Sequence, residues 1–295
     1  MSEKPIDNGL YGSWRDLYDE PDGPSVMPSV PRAEESKTAA PRVPEHVMAE
    51  LLGQVNAPFN HELVINRMYD VVLKLNDRLG AYGLVVGDDR RGRFPAVAMW
   101  HLVNMRRAEL GLEPKAEIRF MYGRYEGELP EDVVPPKLPN GVRALIVTEV
   151  VKFGTSASNL LGVITRAGEF KRTDVDVASL EAWQSLPAAN FFYGGAMRSH
   201  DETTDANSVD PYFFDISVRS LASPVARNAD APKESYYLPQ DGLTPEQTKA
   251  YQDAETVARA LYGLLSPVDP VAARRMATGR TGYGGHFDRT PGYWD

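Results

Sequence analysis

The 295-residue chain contains no cysteine. Disulfides, iron–sulfur clusters, thiolate zinc sites and a cysteine nucleophile are therefore excluded. Histidine is scarce and scattered: His46, His61, His101, His200 and His286 are the full set. None forms a His-x-x-x-His pair, which argues against a histidine-built structural metal site. No stretch approaches the roughly 18–20 apolar residues of a membrane span. The opening MSEKPIDNGL is polar and acidic, unlike a secretory signal. Basic residues are outnumbered 32 to 41, a net charge of −9. A broad basic face for duplex nucleic acid is thus not expected, whereas a local basic cluster can still hold a small phosphate. These absences together point to a cytoplasmic protein with no membrane and no duplex nucleic acid partner.

What the chain does have is an ordinary globular composition, 42% hydrophobic, and enough length for a large core. Residues 1–43 stand apart. PDGPSVMPSVPRAEESKTAAPRVP is too poor in aliphatics to offset its ordering entropy, so this segment reads as a disordered or docking arm. Its one sticky patch is Leu10, Tyr11, Trp14, Leu17 and Tyr18. Residues 44–200 carry the regular patterns. Asn60 is placed to cap a helix over HELVINRMYDVVLKLNDRLG, with apolar residues at helical spacing and Gly80 at its end. YGLVVGDD then reads as a buried strand and FPAVAMWHLVNMRRAELG as a helix. AEIRFMYG, VRALIVTEVV, DVDVASLEAW and NFFYGG supply further strands, and KFGTSASNLLGVITRAG runs from a turn into a helix. Strands alternating with helices predict an α/β fold with a parallel sheet and helices on both faces. Residues 201–243 are loop-rich. Thr244, Pro245 and Gln247 start a helix expected over 244–266. Residues 267–295, ending RTGYGGHFDRTPGYWD, look irregular.

Residues 145–161, LIVTEVVKFGTSASNLL, carry the most chemistry. An apolar strand ends in the acid Glu149; Lys152, Phe153, Gly154, Thr155 and Ser156 follow, then a helix. Such a turn aims several backbone N–H groups at one point, where the helix dipole favours an anion. Gly154 permits close approach, the two hydroxyls donate, and Lys152 adds charge. A second strand–turn–helix, VVGDDRRGRFPAVAM, brings Asp88, Asp89, Arg90, Arg91 and Gly92 together, with Arg93 next. Guanidinium forks suit diphosphate oxygens, and paired acids suit hydrated magnesium. A third segment, IRFMYGRYEGELPEDVVPP, places Arg124, Glu126 and Glu128 in a Pro-rich loop.

In order and spacing these three segments resemble the type I phosphoribosyltransferases, most closely the orotate-type signature. The resemblance covers roughly residues 69–199. It implies a phosphoribosyltransferase-like core in which Glu149 holds ribose hydroxyls. Lys152, Phe153, Gly154, Thr155 and Ser156 would hold the 5′-phosphate, Arg90 and Gly92 the diphosphate, and Arg91 and Arg124 would act with Glu149 at the reacting sugar. Asp88, Asp89 and Glu149 would carry Mg2+. Residues 201–243 correspond to the variable hood that reads the base. The expected reaction moves the phosphoribosyl group from phosphoribosyl pyrophosphate to a small nitrogenous base, releasing pyrophosphate.

The sequence departs from the family pattern at three positions. Thr148 replaces the first of two acids, Phe153 puts a ring where small or hydroxylated residues stand, and Lys152 replaces Thr or Asp. These departures keep open a catalytically inactive phosphoribosyl- or nucleotide-binding regulator or scaffold of the same fold. The aromatic residues of the arm and tail suit a homodimer. His200 with Asp201 and Glu202 reads as a solvated loop more readily than a metal cluster. Phe191, Phe192 and Tyr193 read as core strand more readily than a base-stacking platform.

Overall fold

A computed structural model of the chain describes residues 41–56, 59–88, 92–121, 142–152, 154–167, 170–186, 190–197 and 245–277. Residues 1–40 of the expected arm, the loop-rich stretch over 201–243 and the residues after 277 lie outside this set, whereas Val43, at the arm's end, is buried in the core.

Two helices come first, α1 (Glu45–Gln54) and α2 (Glu62–Leu75). The α1 helix was not anticipated. It is short, and only Met48 and Leu51 are fully buried, too few to set a visible period. The α2 helix was anticipated, but its cap falls one residue later than Asn60. His61 is extended, and its Nδ1 accepts the Leu63 N–H at 3.2 Å. The regular helix also stops before Gly80: residues Asn76–Ala81 tighten into a 3-10 turn that leads directly into the sheet. Replacing His61 with alanine removes the acceptor for one of the orphan N–H groups at the helix start. A loss of about 0.5–1 kcal/mol is expected, with His61→Asn close to wild type. Urea unfolding of the two variants side by side measures it.

The sheet is built from β1 (Tyr82–Asp88), β2 (Glu117–Met121), β3 (Arg143–Val151), β4 (Val175–Ala182) and β5 (Asn190–Tyr193). All neighbours pair in parallel, in the order β2-β1-β3-β4-β5. Helix α3 (Arg93–Glu109) links β1 to β2, and α4 (Thr155–Ala167) links β3 to β4. The expectation of an α/β protein with a parallel sheet therefore holds.

Strand alternation sorts the core into two layers. Val85, Leu145, Ala178 and Leu180 pack with side chains of α1, α2, α3 and the long C-terminal helix α5 (Pro245–Gly263). Leu84, Val86, Ile146, Val175 and Val177 face the other way, onto Ala157, Leu160, Leu161 and Ile164 of α4. Burial of both faces is why these strands read as continuous apolar runs rather than alternating ones.

The tail departs from expectation. Residues 267–295 look irregular in sequence, yet Pro270–Ala277 form a helix, α6. Asp269 accounts for it. Its carboxylate accepts the Val271 N–H at 2.9 Å, its carbonyl accepts the Ala273 N–H at 2.9 Å, and proline occupies the first helical position. Arg274 of α6 then donates to the Leu110 carbonyl at 2.6 Å, satisfying an orphan acceptor at the end of α3.

Candidate functional site

The strand order reverses between β1 and β3: from β1 the chain steps to β2 on one side, and from β3 to β4 and β5 on the other. In open parallel sheets, the carboxyl ends of the two strands at such a reversal border a crevice, because their connections leave in opposite directions. Both of the turns singled out in the sequence leave the sheet there. The pairing Gly87↔Val147 sets the end of β1 beside Val147 of β3, which runs on to Val151.

At the first turn, the Gly92 N–H donates to the Asp88 carbonyl at 2.9 Å. The Gly92 carbonyl in turn accepts the Ala96 N–H at 2.9 Å, starting α3. Glycine here answers to space. A Cβ on Gly92 would lie 2.4 Å from the Val147 carbonyl oxygen and 2.8 Å from the Asp88 nitrogen. The start of α3 is thus pressed against the backbone of both β1 and β3. Asp88 is half-buried at the strand end. Arg93 turns inward: it is 5% exposed, with its guanidinium carbon 4.4 Å from the Phe120 ring centroid. Asp89, Arg90 and Arg91 lie outside the described residues, as does Arg124.

At the second turn, β3 carries Thr148 and Glu149 to the sheet edge, and both are buried, Glu149 being 2% exposed. The backbone around Glu149 is held from β4. The Ser179 hydroxyl lies 2.6 Å from the Glu181 carbonyl oxygen and 3.2 Å from that of Glu149. After Val151 comes half-buried Lys152, its Nζ 5.0 Å from the centre of the Trp183 ring. Phe153 lies outside the described residues. Gly154 has φ +67°, a left-handed conformation that glycine adopts without strain. A Cβ there would meet Leu186 Cδ2 at 2.8 Å and Gln184 Nε2 at 2.9 Å. The Gly154 carbonyl accepts the Ser158 N–H at 2.8 Å. Thr155 and Ser156 thus form the first turn of α4, with Thr155 exposed and Ser156 half-buried.

Of the expected site residues that are described, Asp88 and Gly92 stand on one turn and Glu149, Lys152, Gly154, Thr155 and Ser156 on the other, at one sheet edge. Chemically, this arrangement offers the free N–H groups of a helix start, two hydroxyls and one ammonium to an anion. The expected magnesium ligands were Asp88, Asp89 and Glu149. Among the described residues, no group of three or more His, Asp or Glu side chains could hold a metal ion. Asp89, one of the three, lies outside the described residues.

Trp183, Glu181 and Gln184 also belong to this edge, beyond the residues expected from the sequence. The sequence places Trp183 at the end of a strand, DVDVASLEAW, but β4 stops at Ala182. The Trp183 N–H donates to the Val151 carbonyl at 2.8 Å, and its indole N–H to buried Glu181 at 2.8 Å. An aromatic residue immediately beyond a buried strand, on the strand next to a phosphate-type turn, was the available signal.

No helix among the described residues is long and apolar enough to cross a membrane. Compared with known proteins, the chain matches no protein-family model and no curated sequence.

Proposed function

We propose that the edge formed by the ends of β1 and β3 binds a phosphoribosyl compound, and that the protein is a phosphoribosyltransferase-like enzyme. The observation that carries this reading is the meeting of two glycine-dependent strand–turn–helix units at one strand-order reversal, with Gly92 pressed on Val147. The start of α4 with Thr155, Ser156 and Lys152 would take the 5′-phosphate. The turn that begins at Asp88 and ends at Gly92 would take the diphosphate, and Glu149 would orient the ribose. In the reaction, a base nitrogen forms a bond to ribose C1 as the C1–oxygen bond to diphosphate breaks. Pyrophosphate leaves with the electron pair, and the nitrogen's proton passes to solvent. The chain's part is alignment through remote phosphate binding and charge placed in advance. Asp88, Asp89 and Glu149 would hold Mg2+, which would offset the charge of the leaving diphosphate.

A second reading rests on Thr148 and on the 2% exposure of Glu149. With one acid absent and the other buried, the site would bind the ligand without turning it over, as a regulator or scaffold.

Thermal unfolding with and without phosphoribosyl pyrophosphate and magnesium tests the shared premise. At 100 times its dissociation constant the ligand should add about 2.7 kcal/mol, a shift of several degrees. Turnover with a panel of bases then separates the readings. For an enzyme, Glu149→Gln should lower turnover about a hundredfold. Ligand-induced stabilisation with no pyrophosphate release from any base selects the regulator. No shift at millimolar ligand overturns both.

A further inference from the structure

The edge holds one charged chain of contacts that the expected signature does not use. Glu181 lies on β4 with no exposure to solvent. Its Oε1 accepts the Trp183 indole N–H at 2.8 Å. The Trp183 backbone N–H is tied to Val151 at 2.8 Å, one residue before Lys152. The indole ring, fixed at its nitrogen and at its own backbone, stands beneath the Lys152 ammonium, whose Nζ lies 5.0 Å from its centre. A cation at that distance from an indole face is attracted by the ring quadrupole. Donation of the indole N–H to a buried carboxylate polarises the ring toward a more negative face, strengthening that attraction. Two of the three residues after Trp183 support the same turn, since Gln184 and Leu186 are what a Cβ on Gly154 would strike.

A lysine has four rotatable side-chain bonds, and ordering it on a ligand costs entropy. A ring that already holds the ammonium beside the turn removes part of that cost. We propose that Trp183 and Glu181 are positioning residues that seat the Lys152 ammonium next to the phosphate turn, making Lys152 the pre-ordered charge for the ligand's phosphate. The inference rests on the phosphate-binding reading of that turn. Trp183 supplies the seat, Glu181 fixes the orientation of the seat, and of these three only Lys152 meets the ligand's phosphate. This gives a strongly acidic chain a local cation at the one edge where an anion is needed.

Isothermal titration of the full chain with phosphoribosyl pyrophosphate and magnesium, at several salt concentrations, tests it. Lys152→Met should weaken binding about tenfold and flatten its salt dependence, because a charge contact has been removed. Trp183→Leu should weaken binding about three- to tenfold, the range of one cation–π contact. The decisive comparison is the double variant, which should bind no more weakly than Lys152→Met alone. A merely structural role for Trp183 would instead weaken the double variant further. Glu181→Gln should fall between wild type and Trp183→Leu. If that buried change prevents folding, Trp183→Phe, which keeps a ring but loses the N–H, takes its place with the same expectation. Wild-type binding with additive losses in the double variant, or with unweakened Trp183→Leu, overturns the seating of Lys152 and leaves the phosphate turn standing. No binding by the wild type overturns both.

Discussion

Replacing Asp176 with alanine should destabilise the protein by about 3–5 kcal/mol, the cost of leaving buried polar partners uncompensated. The side chain has no solvent exposure and accepts from four residues of separate elements. Tyr82 Oη lies 2.7 Å away, Arg143 Nη2 2.6 Å, Asn190 Nδ2 2.7 Å, and Arg78 Nη1 more loosely at 3.4 Å. Together they tie the starts of β1, β3, β4 and β5 to one carboxylate, at the edge opposite the candidate site. Arg78 is partly exposed and contributes little, so the loss falls on Tyr82 and Arg143, which are deeper. For a domain of this size, each kcal/mol is worth about 2–4 °C in Tm. A fall of roughly 6–20 °C is therefore expected by calorimetry. A change under about 2 °C would mean that water replaces the carboxylate at no cost.

The same cluster sets an alkaline limit. Burial first, then the Asp176 charge and hydrogen bond, push the Tyr82 phenol well above its usual value of 10.0. A phenol raised on folding favours the native state fully below pH 10, where the unfolded chain also keeps its proton. That contribution is lost as pH rises above 10, because the unfolded chain ionises first. Stability should thus decline above pH 10, and Tyr82→Phe should flatten the decline while costing stability at neutral pH.

Neither half of this cluster was legible in the sequence. Within VDVASLEA, Asp176 looks like the solvent-facing residue of a half-buried strand. Only burial of both sheet faces makes it internal, and its partner Tyr82 lies 94 residues away. The strands themselves were legible because burial on both faces leaves continuous apolar runs such as Leu145, Ile146 and Val147. The two turns were legible for a different reason. A glycine demanded by close approach or by a left-handed backbone is a local requirement, readable from a few adjacent residues. The seat of Lys152 on Trp183 is a contact between neighbouring strands, and residue types alone do not fix which face an aromatic turns to its neighbour. The α6 helix was hidden by its brevity, although Asp269 and Pro270 carried a proper start.

Gly92→Ala separates these kinds of requirement most sharply. Gly92 has φ −76° and ψ −5°, a conformation open to any residue, and it stands just before α3. On backbone freedom alone, alanine there should stabilise by about 0.4–1 kcal/mol. The structure reverses the sign. The added carbon would sit 2.4 Å from the Val147 carbonyl and 2.8 Å from the Asp88 nitrogen, and both are backbone atoms of paired central strands. Neither can swing aside as a side chain would, so the start of α3 must lift from the sheet edge. A net loss of about 3 kcal/mol is expected, at the upper end for an added methyl in a packed interior. Lifting that start also moves the turn at Asp88 away from the turn at Gly154, so stabilisation by phosphoribosyl pyrophosphate should disappear even where the variant remains folded. Unfolding curves with and without ligand read both effects. A variant as stable as wild type would show that the α3 start is free of β3, and would remove the contact on which the pairing of the two turns depends. A destabilised variant that keeps its full ligand shift would assign the Gly92 contact to folding alone and place phosphate binding on the α4 turn by itself.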